Sequence, residues 1–283
     1  MKLEGKRIIF FLVCFSFFLF HSSFPSSAAE LKAIQKRGYL VVAVKDNLRP
    51  LGFRDARGNL QGLEIDLAQR LAQDLVGKPS GVRLQQVANQ DRLSVVLEGK
   101  VDLTIASVTA TESRARLVSF STPYYFERTA FVTKDHWVQQ LNDVARAKIA
   151  LLKGSSTIAT VRYLLPTAQI VGVDSYQDAR SLLESGAADA VAADASVLSG
   201  WVQEYPQYRL LPTLLGADPL CVVMPKGLQY NDLRQRVNAE IARYSAEGWL
   251  QQRAAYWGLP EAKSGLPRNS SRRTLPYLLR GAE

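Results

Sequence analysis

Residues 104–125 read TIASVTATESRARLVSFSTPYY. An apolar run ends in two hydroxyls, Ser107 and Thr109, followed by Thr111-Glu112-Ser113-Arg114 and an aromatic cluster around Pro123. The run predicts a buried strand, and Thr111 is placed to cap a short helix through Arg114. A strand end carrying free amide donors and a guanidinium suits an anion: the planar fork of arginine matches a carboxylate with two charge-assisted hydrogen bonds. No nucleophile, acid–base pair or metal-ligating cluster stands beside it. The stretch reads as a place to hold a molecule, with no catalytic residue and no metal.

Outward from it, strand and helix patterns alternate. Residues 39–44 (YLVVAV) form a continuous apolar run, as a strand buried on both faces of a parallel sheet requires. Leu63, Leu67, Leu71 and Leu75 recur at helical spacing, and Gly77 is placed to end that helix. A helix over 92–98 follows, then Gly99, then Asp102 opening a strand over 103–106. The second half repeats the scheme, with a strand over 148–152, the polar loop Gly154-Ser155-Ser156-Thr157, and Ser175 and Asp178 at capping-box spacing. The segment LESGAAD at 183–189 echoes LEGKVD at 97–102: a helix stops at glycine and an aspartate introduces a strand.

Two α/β lobes result. Ligands of open α/β sheets sit beyond the carboxyl ends of strands, which here deliver Lys45, Ser107 and Thr109 from one lobe and Ser155, Ser156 and Asp194 from the other. Asp194 also fits a cap on a helix starting at Ala195. The helical region through Gly248-Trp249-Leu250 and Tyr256-Trp257-Gly258 is expected to pack back on the first lobe. The chain then crosses twice, with residues 30–126 and 224–260 in lobe 1 and 127–223 in lobe 2. Pro123 marks the first crossing, and Tyr124 and Tyr125 pack its hinge.

The 283 residues carry a formal charge of +9 and two cysteines. Lys2, Lys6 and Arg7 precede an apolar run over 8–20, and Ser27 and Ala29 suit a signal peptidase, so residues 1–29 read as a signal peptide. Its removal takes away three bases, one acid and Cys14, leaving Cys221 as a single buried thiol with no disulfide partner. Residues 261–283 form a flexible basic tail with Arg268, Arg272, Arg273 and Arg280. The body lacks a dense basic stripe, which argues against nucleic acid as a partner.

Five motifs occur in order: Pro50-Leu51-Gly52-Phe53, Gly62-Leu63-Glu64-Ile65-Asp66-Leu67-Ala68, Leu97-Glu98-Gly99-Lys100-Val101-Asp102, Thr109-Ala110-Thr111-Glu112-Ser113-Arg114 and Phe120-Ser121-Thr122-Pro123-Tyr124-Tyr125. Together they resemble the bacterial extracellular solute-binding proteins of family 3, polar-amino-acid receptors of ABC importers. The resemblance implies a two-lobed periplasmic-binding-protein fold of type II that closes over its ligand, a monomer in the periplasm without a cofactor, and a membrane permease as partner. It also implies roles. Arg114 matches the arginine that pairs with the ligand α-carboxylate, with Thr109 beside it. Ser107 matches the strand end whose carbonyl faces the α-ammonium, Asp194 the acid that binds that ammonium, and Ser156 the second-lobe loop that also reaches the carboxylate. Ser113 stands where the family usually has glutamate. Leu48 and Gln90 replace two aromatic residues that often sandwich a ligand side chain, which weighs against a glutamine-type pocket.

Lys45 and Arg92 fall in first-lobe segments facing the cleft. With Arg114 they set three positive charges against Asp194, an excess that suits glutamate or aspartate over a neutral amino acid. No second acid in the cleft is evident from the sequence, which disfavours a basic ligand. The alternative is a periplasmic cyclohexadienyl or arogenate dehydratase on the same fold, for which Glu127 is the candidate acid.

Overall fold

The computed structural model describes residues 30–259; the leader and the tail lie outside the described residues. In chain order, the first lobe contains α1 (Leu31–Arg37), β1 (Leu40–Val44), the short strands β2 (Asn47–Leu48), β3 (Gly52–Arg54) and β4 (Leu60–Gln61), α2 (Leu63–Val76), β5 (Val82–Gln86), α3 (Ser94–Leu97), β6 (Leu103–Ile105) and α4 (Glu112–Ala115). The long strand β7 (Ser119–Thr133) leads into the second lobe, which holds β8 (Lys148–Leu152), α5 (Thr157–Leu164), β9 (Gln169–Val173), α6 (Tyr176–Glu184), β10 (Ala190–Asp194), α7 (Ala195–Glu204) and β11 (Arg209–Leu210). Strand β12 (Leu215–Met224) returns, and α8 (Asn231–Ala246) and α9 (Trp249–Tyr256) complete the first lobe.

The strands run in the order β5-β1-β6-β12-β7-β10-β8-β9, with β11 on β7. Within each lobe the pairs β1–β5, β1–β6, β8–β9 and β8–β10 are parallel. The shared strands β7 and β12 pair antiparallel along their length, and Thr129 of β7 lies beside both Leu215 of β12 and Asp194 of β10. Their register shifts between Leu215 and Asp218, between Leu220 and Cys221, and again between Cys221 and Val223. Pro123, which has no N–H to give a ladder, pairs with Cys221 at these irregularities, where bulges bend the ribbon from one lobe to the other.

The two copies of the glycine–aspartate motif do the same work. The Asp102 N–H donates to the Val41 carbonyl at 2.9 Å, and its Oδ2 accepts the Val41 N–H at 2.7 Å. Asp189 repeats this with Lys148, at 2.9 and 2.7 Å. Each aspartate therefore clamps the first strand of its lobe to the strand it introduces.

Leucines at helical spacing bury one face of α2: Leu63, Leu67, Leu71 and Leu75 join Leu103, Ile105, Leu220 and Val222 in the first-lobe core. Leu233, Val237, Ile241, Tyr244 and Leu250 of α8 and α9 enter the same cluster as the leucines of α2. Apolar clusters flank the second-lobe sheet, one holding Val132, Val191 and Leu198, the other Phe131, Ile149 and Leu151. Cys221 is buried in β12. Gly62, at φ +127°, leads into α2; a Cβ there would meet the Leu51 carbonyl oxygen at 2.2 Å. That close approach lets the Pro50 and Leu51 carbonyls accept the first amides of α2, from Leu63 and Glu64.

Candidate ligand-binding cleft

A cavity of about 410 Å³ lies between the lobes. Leu48, Asn89, Gln90, Arg92, Ser107, Thr109 and Arg114 line it from the first lobe; Lys153, Ser155, Ser156, Asp174, Tyr176 and Asp194 line it from the second. Six of the seven residues singled out from sequence are thus brought together: Arg114, Thr109, Ser107, Arg92, Ser156 and Asp194.

Arg114 is placed by its own helix. Thr111 caps α4 by accepting the Arg114 N–H on Oγ1 at 3.3 Å, and the guanidinium donates from Nη1 to the Thr109 carbonyl at 2.9 Å. Burial lowers the pKa of Arg114, and burial and the nearby Arg114 charge lower that of Arg92.

Arg92 does not sit in the continuous helix expected over 92–98. A 3₁₀ turn at Asn89–Asp91 precedes it and α3 starts only at Ser94, whose Oγ donates to the Asp91 carbonyl at 3.2 Å. Such local side-chain bonding competes with helix. The Arg92 guanidinium gathers three carbonyls instead: Asn89 at 2.9 Å, Ser107 at 2.6 Å and Ala106 at 3.2 Å. The Ser107 carbonyl, expected to face a ligand ammonium, therefore accepts from a resident guanidinium.

Lys45 departs from expectation. It is buried below the cleft, off its wall, and its ammonium donates to the Val87 carbonyl at 3.3 Å. Burial and then the Arg92 charge lower its pKa. Strand alternation does not decide this, because β1 is buried on both faces; the side chain turns instead to the Val87 carbonyl, away from the cleft wall.

Asp194 ends β10 at the N-cap position of α7, yet its side chain makes no capping hydrogen bond. It accepts from Thr157 Oγ1 at 3.5 Å and faces the cleft. Burial and the Asp218 carboxylate push its pKa up to about 6, against the pull of Arg92 across the cleft. Glu127, the acid put forward for an enzyme, lies off the cleft wall. Ser196 Oγ donates to it at 2.5 Å, the Ser196 N–H at 3.2 Å and the Arg128 N–H at 3.0 Å, and burial with the Asp194 charge raises its pKa to about 8.

Residues 40–260 match the bacterial extracellular solute-binding proteins, family 3. The chain belongs to that family. Among its relatives, the glutamine-binding protein of Geobacillus stearothermophilus is 30% identical over 67% of this chain and 73% of its own. The ABC transporter glutamine-binding protein GlnH of Bacillus subtilis is 26% identical over 83% and 87%. The solute receptor for L-cysteine of Neisseria gonorrhoeae superposes with a TM-score of 0.70 at 28% identity, covering 81% of this chain and 93% of the other. The solute-binding protein has the type II two-lobed fold of these receptors. Among its described residues no helix is long and apolar enough to cross a membrane.

Sequence reasoning missed Lys153, Asp174, Tyr176, Thr157 and Glu64 at this solute-binding protein's candidate site. Asp174 is a second acid on the cleft wall, correcting the expectation of a single one; it pairs with Lys153 at 3.0 Å. Tyr176 lines the second-lobe wall, its hydroxyl pKa raised by burial and by Asp194. Thr157 reaches Asp194. Glu64 lies beneath the floor, fully buried, its carboxyl pKa raised by burial. Its signal was present: a glutamate on the leucine-bearing face of a helix breaks the apolar pattern and demands a partner.

Proposed function

We propose that the protein captures an acidic amino acid, glutamate or aspartate, in the periplasm and presents it to the permease of an ABC importer. Arg114 takes the α-carboxylate with help from Thr109 and the Ser156 loop, Asp194 takes the α-ammonium, and Arg92 meets the side-chain carboxylate. The observation that carries this reading is the charge of the cleft wall. Among the described residues lining the wall, Arg92, Arg114 and Lys153 stand against Asp174 and Asp194, so a ligand of net charge −1 completes the balance. Buried ions without partners are strongly disfavoured, and a zwitterion met at both poles avoids that cost. Because the poles lie on different lobes, the ligand binds the closed arrangement better and shifts the population toward it.

Export by a cleaved leader, action as a monomer, and a purely binding role belong to the same proposal. A neutral polar ligand is the second reading, favoured by the two relatives named for glutamine. A thermal-shift screen of the chain from Glu30 against the twenty amino acids separates them. Glutamate or aspartate as best stabiliser is expected; glutamine would favour the second reading, and arginine or lysine would overturn both.

A further inference from the structure

Ser107, two residues beyond β6, has φ +51° and is the described non-glycine residue held in the left-handed region. Such a backbone persists only where its surroundings over-determine it. Two contacts do so. Its N–H donates to Glu64 Oε1 at 2.6 Å, and its carbonyl accepts from Arg92 Nη1 at 2.6 Å. The same Oε1 accepts the Tyr124 hydroxyl at 2.6 Å, and Tyr124 belongs to the crossing strand β7. Glu64 thus ties together the first turn of α2, the ligand-facing segment after β6 and the ribbon between the lobes.

This arrangement is costly to the fold. A carboxylate with no solvent exposure sits in an otherwise leucine-rich face, and its Oε2 has no hydrogen-bond partner among the described residues. The charges acting on it are Arg92 and Lys45, both on the cationic side of the cleft floor. Lys45, absent from the cleft wall, thereby finds a role as counter-charge.

We propose that Glu64 is the positioning residue of the ligand cleft: by accepting the Ser107 amide it holds residue 107 left-handed, which aims the Ser107 carbonyl at Arg92 and keeps that guanidinium on the wall beside Arg114. Without the acceptor, Ser107 relaxes to negative φ, its peptide plane turns, and Arg92 loses its shortest anchor. The inference rests on the cleft being the ligand site and not on which amino acid occupies it.

The test uses the mature chain as Glu64→Ala, Ser107→Gly and the double variant, titrated calorimetrically with L-glutamate and with L-glutamine. Glu64→Ala weakens whichever probe binds by about tenfold or more. Adding Ser107→Gly to it restores most of that loss, since glycine adopts positive φ without a restraining carboxylate. A merely structural role predicts no such recovery, and its absence overturns the proposal. Glu64→Gln keeps the shape and a weaker acceptor; it gives the same pattern at smaller size and stands in if Glu64→Ala does not fold. Ligand-free hydrogen exchange over residues 103–110 supplies an independent arm, with the Ser107 amide expected to exchange at least about tenfold faster in Glu64→Ala. If neither probe binds the wild-type chain, glutamate and glutamine are excluded as ligands while exchange still decides: unchanged protection at Ser107 overturns the role of Glu64.

Discussion

The two walls of the cleft are built differently. On the first lobe, Arg92 and Arg114 are fastened to backbone carbonyls, four in all, and rest on a floor that buries Glu64 and Lys45. On the second, Lys153 and Asp174 form an ion pair whose side chains are 60% and 78% exposed, and Asp194 accepts a long hydrogen bond from Thr157 and is also met by the Ser107 hydroxyl. The first wall is set before a ligand arrives, so less ordering cost falls on binding; on the second, water still competes for the Lys153–Asp174 pair, while Asp194 is largely buried. The contrast teaches that the first-lobe wall is preorganised, while the exposed Lys153–Asp174 pair of the second is left for closure to order.

Arg114→Ala should break the contrast most severely. Truncating one member of a charge pair that closes out of water costs about 2–5 kcal/mol, roughly a 30-fold or greater rise in Kd. The melting temperature of the ligand-free chain should barely move, because Arg114 sits on a four-residue helix near the surface. Calorimetric titration beside a thermal melt checks both halves of that expectation.

The next largest effect is on pH dependence. Asp194 at about 6 and Glu127 at about 8 hold protons more tightly in the folded chain than in the unfolded one. Between their unfolded values, near about 4, and these folded values the native state binds more protons, so stability falls as pH rises through that window. The ligand-free chain is therefore expected to melt higher at pH 5 than at pH 8, and Glu127→Gln should flatten the upper part of the slope. Ligand affinity should run the other way, rising from pH 5 to pH 7 as Asp194 ionises to meet the ammonium. A melt that rises with pH would remove the buried-acid account of the hinge.

Lys153→Ala should produce the smallest change. An exposed ion pair contributes little, and losing it should shift affinity by no more than about threefold. A larger loss would mean that the second wall grips the ligand as firmly as the first.

Much of this was open to a reader of the chain. The leucine spacing of α2, the glycine at its end, the Thr111 cap and the paired glycine–aspartate motifs are all local chemistry, and each appears where expected. Two α/β lobes follow from them, because each element must bury its apolar face against the next. Arg114, on the short capped helix, and Asp194, at a strand end, were visible as charges and do face one cavity.

Side-chain direction was not visible. Lys45 and Arg92 look alike in sequence, a base just beyond a strand and a base near a helix start, yet one lies under the floor and the other on the wall. That choice depends on which carbonyls are left unpaired nearby, a matter of tertiary packing. The same holds for Glu64, a charge among leucines whose partners, Ser107 and Tyr124, are brought to it by the segment after β6 and by β7. Local propensity and periodicity operate within a few residues and are written along the chain; the partner of a buried charge comes from some forty to sixty positions away, and only the closed fold can name it.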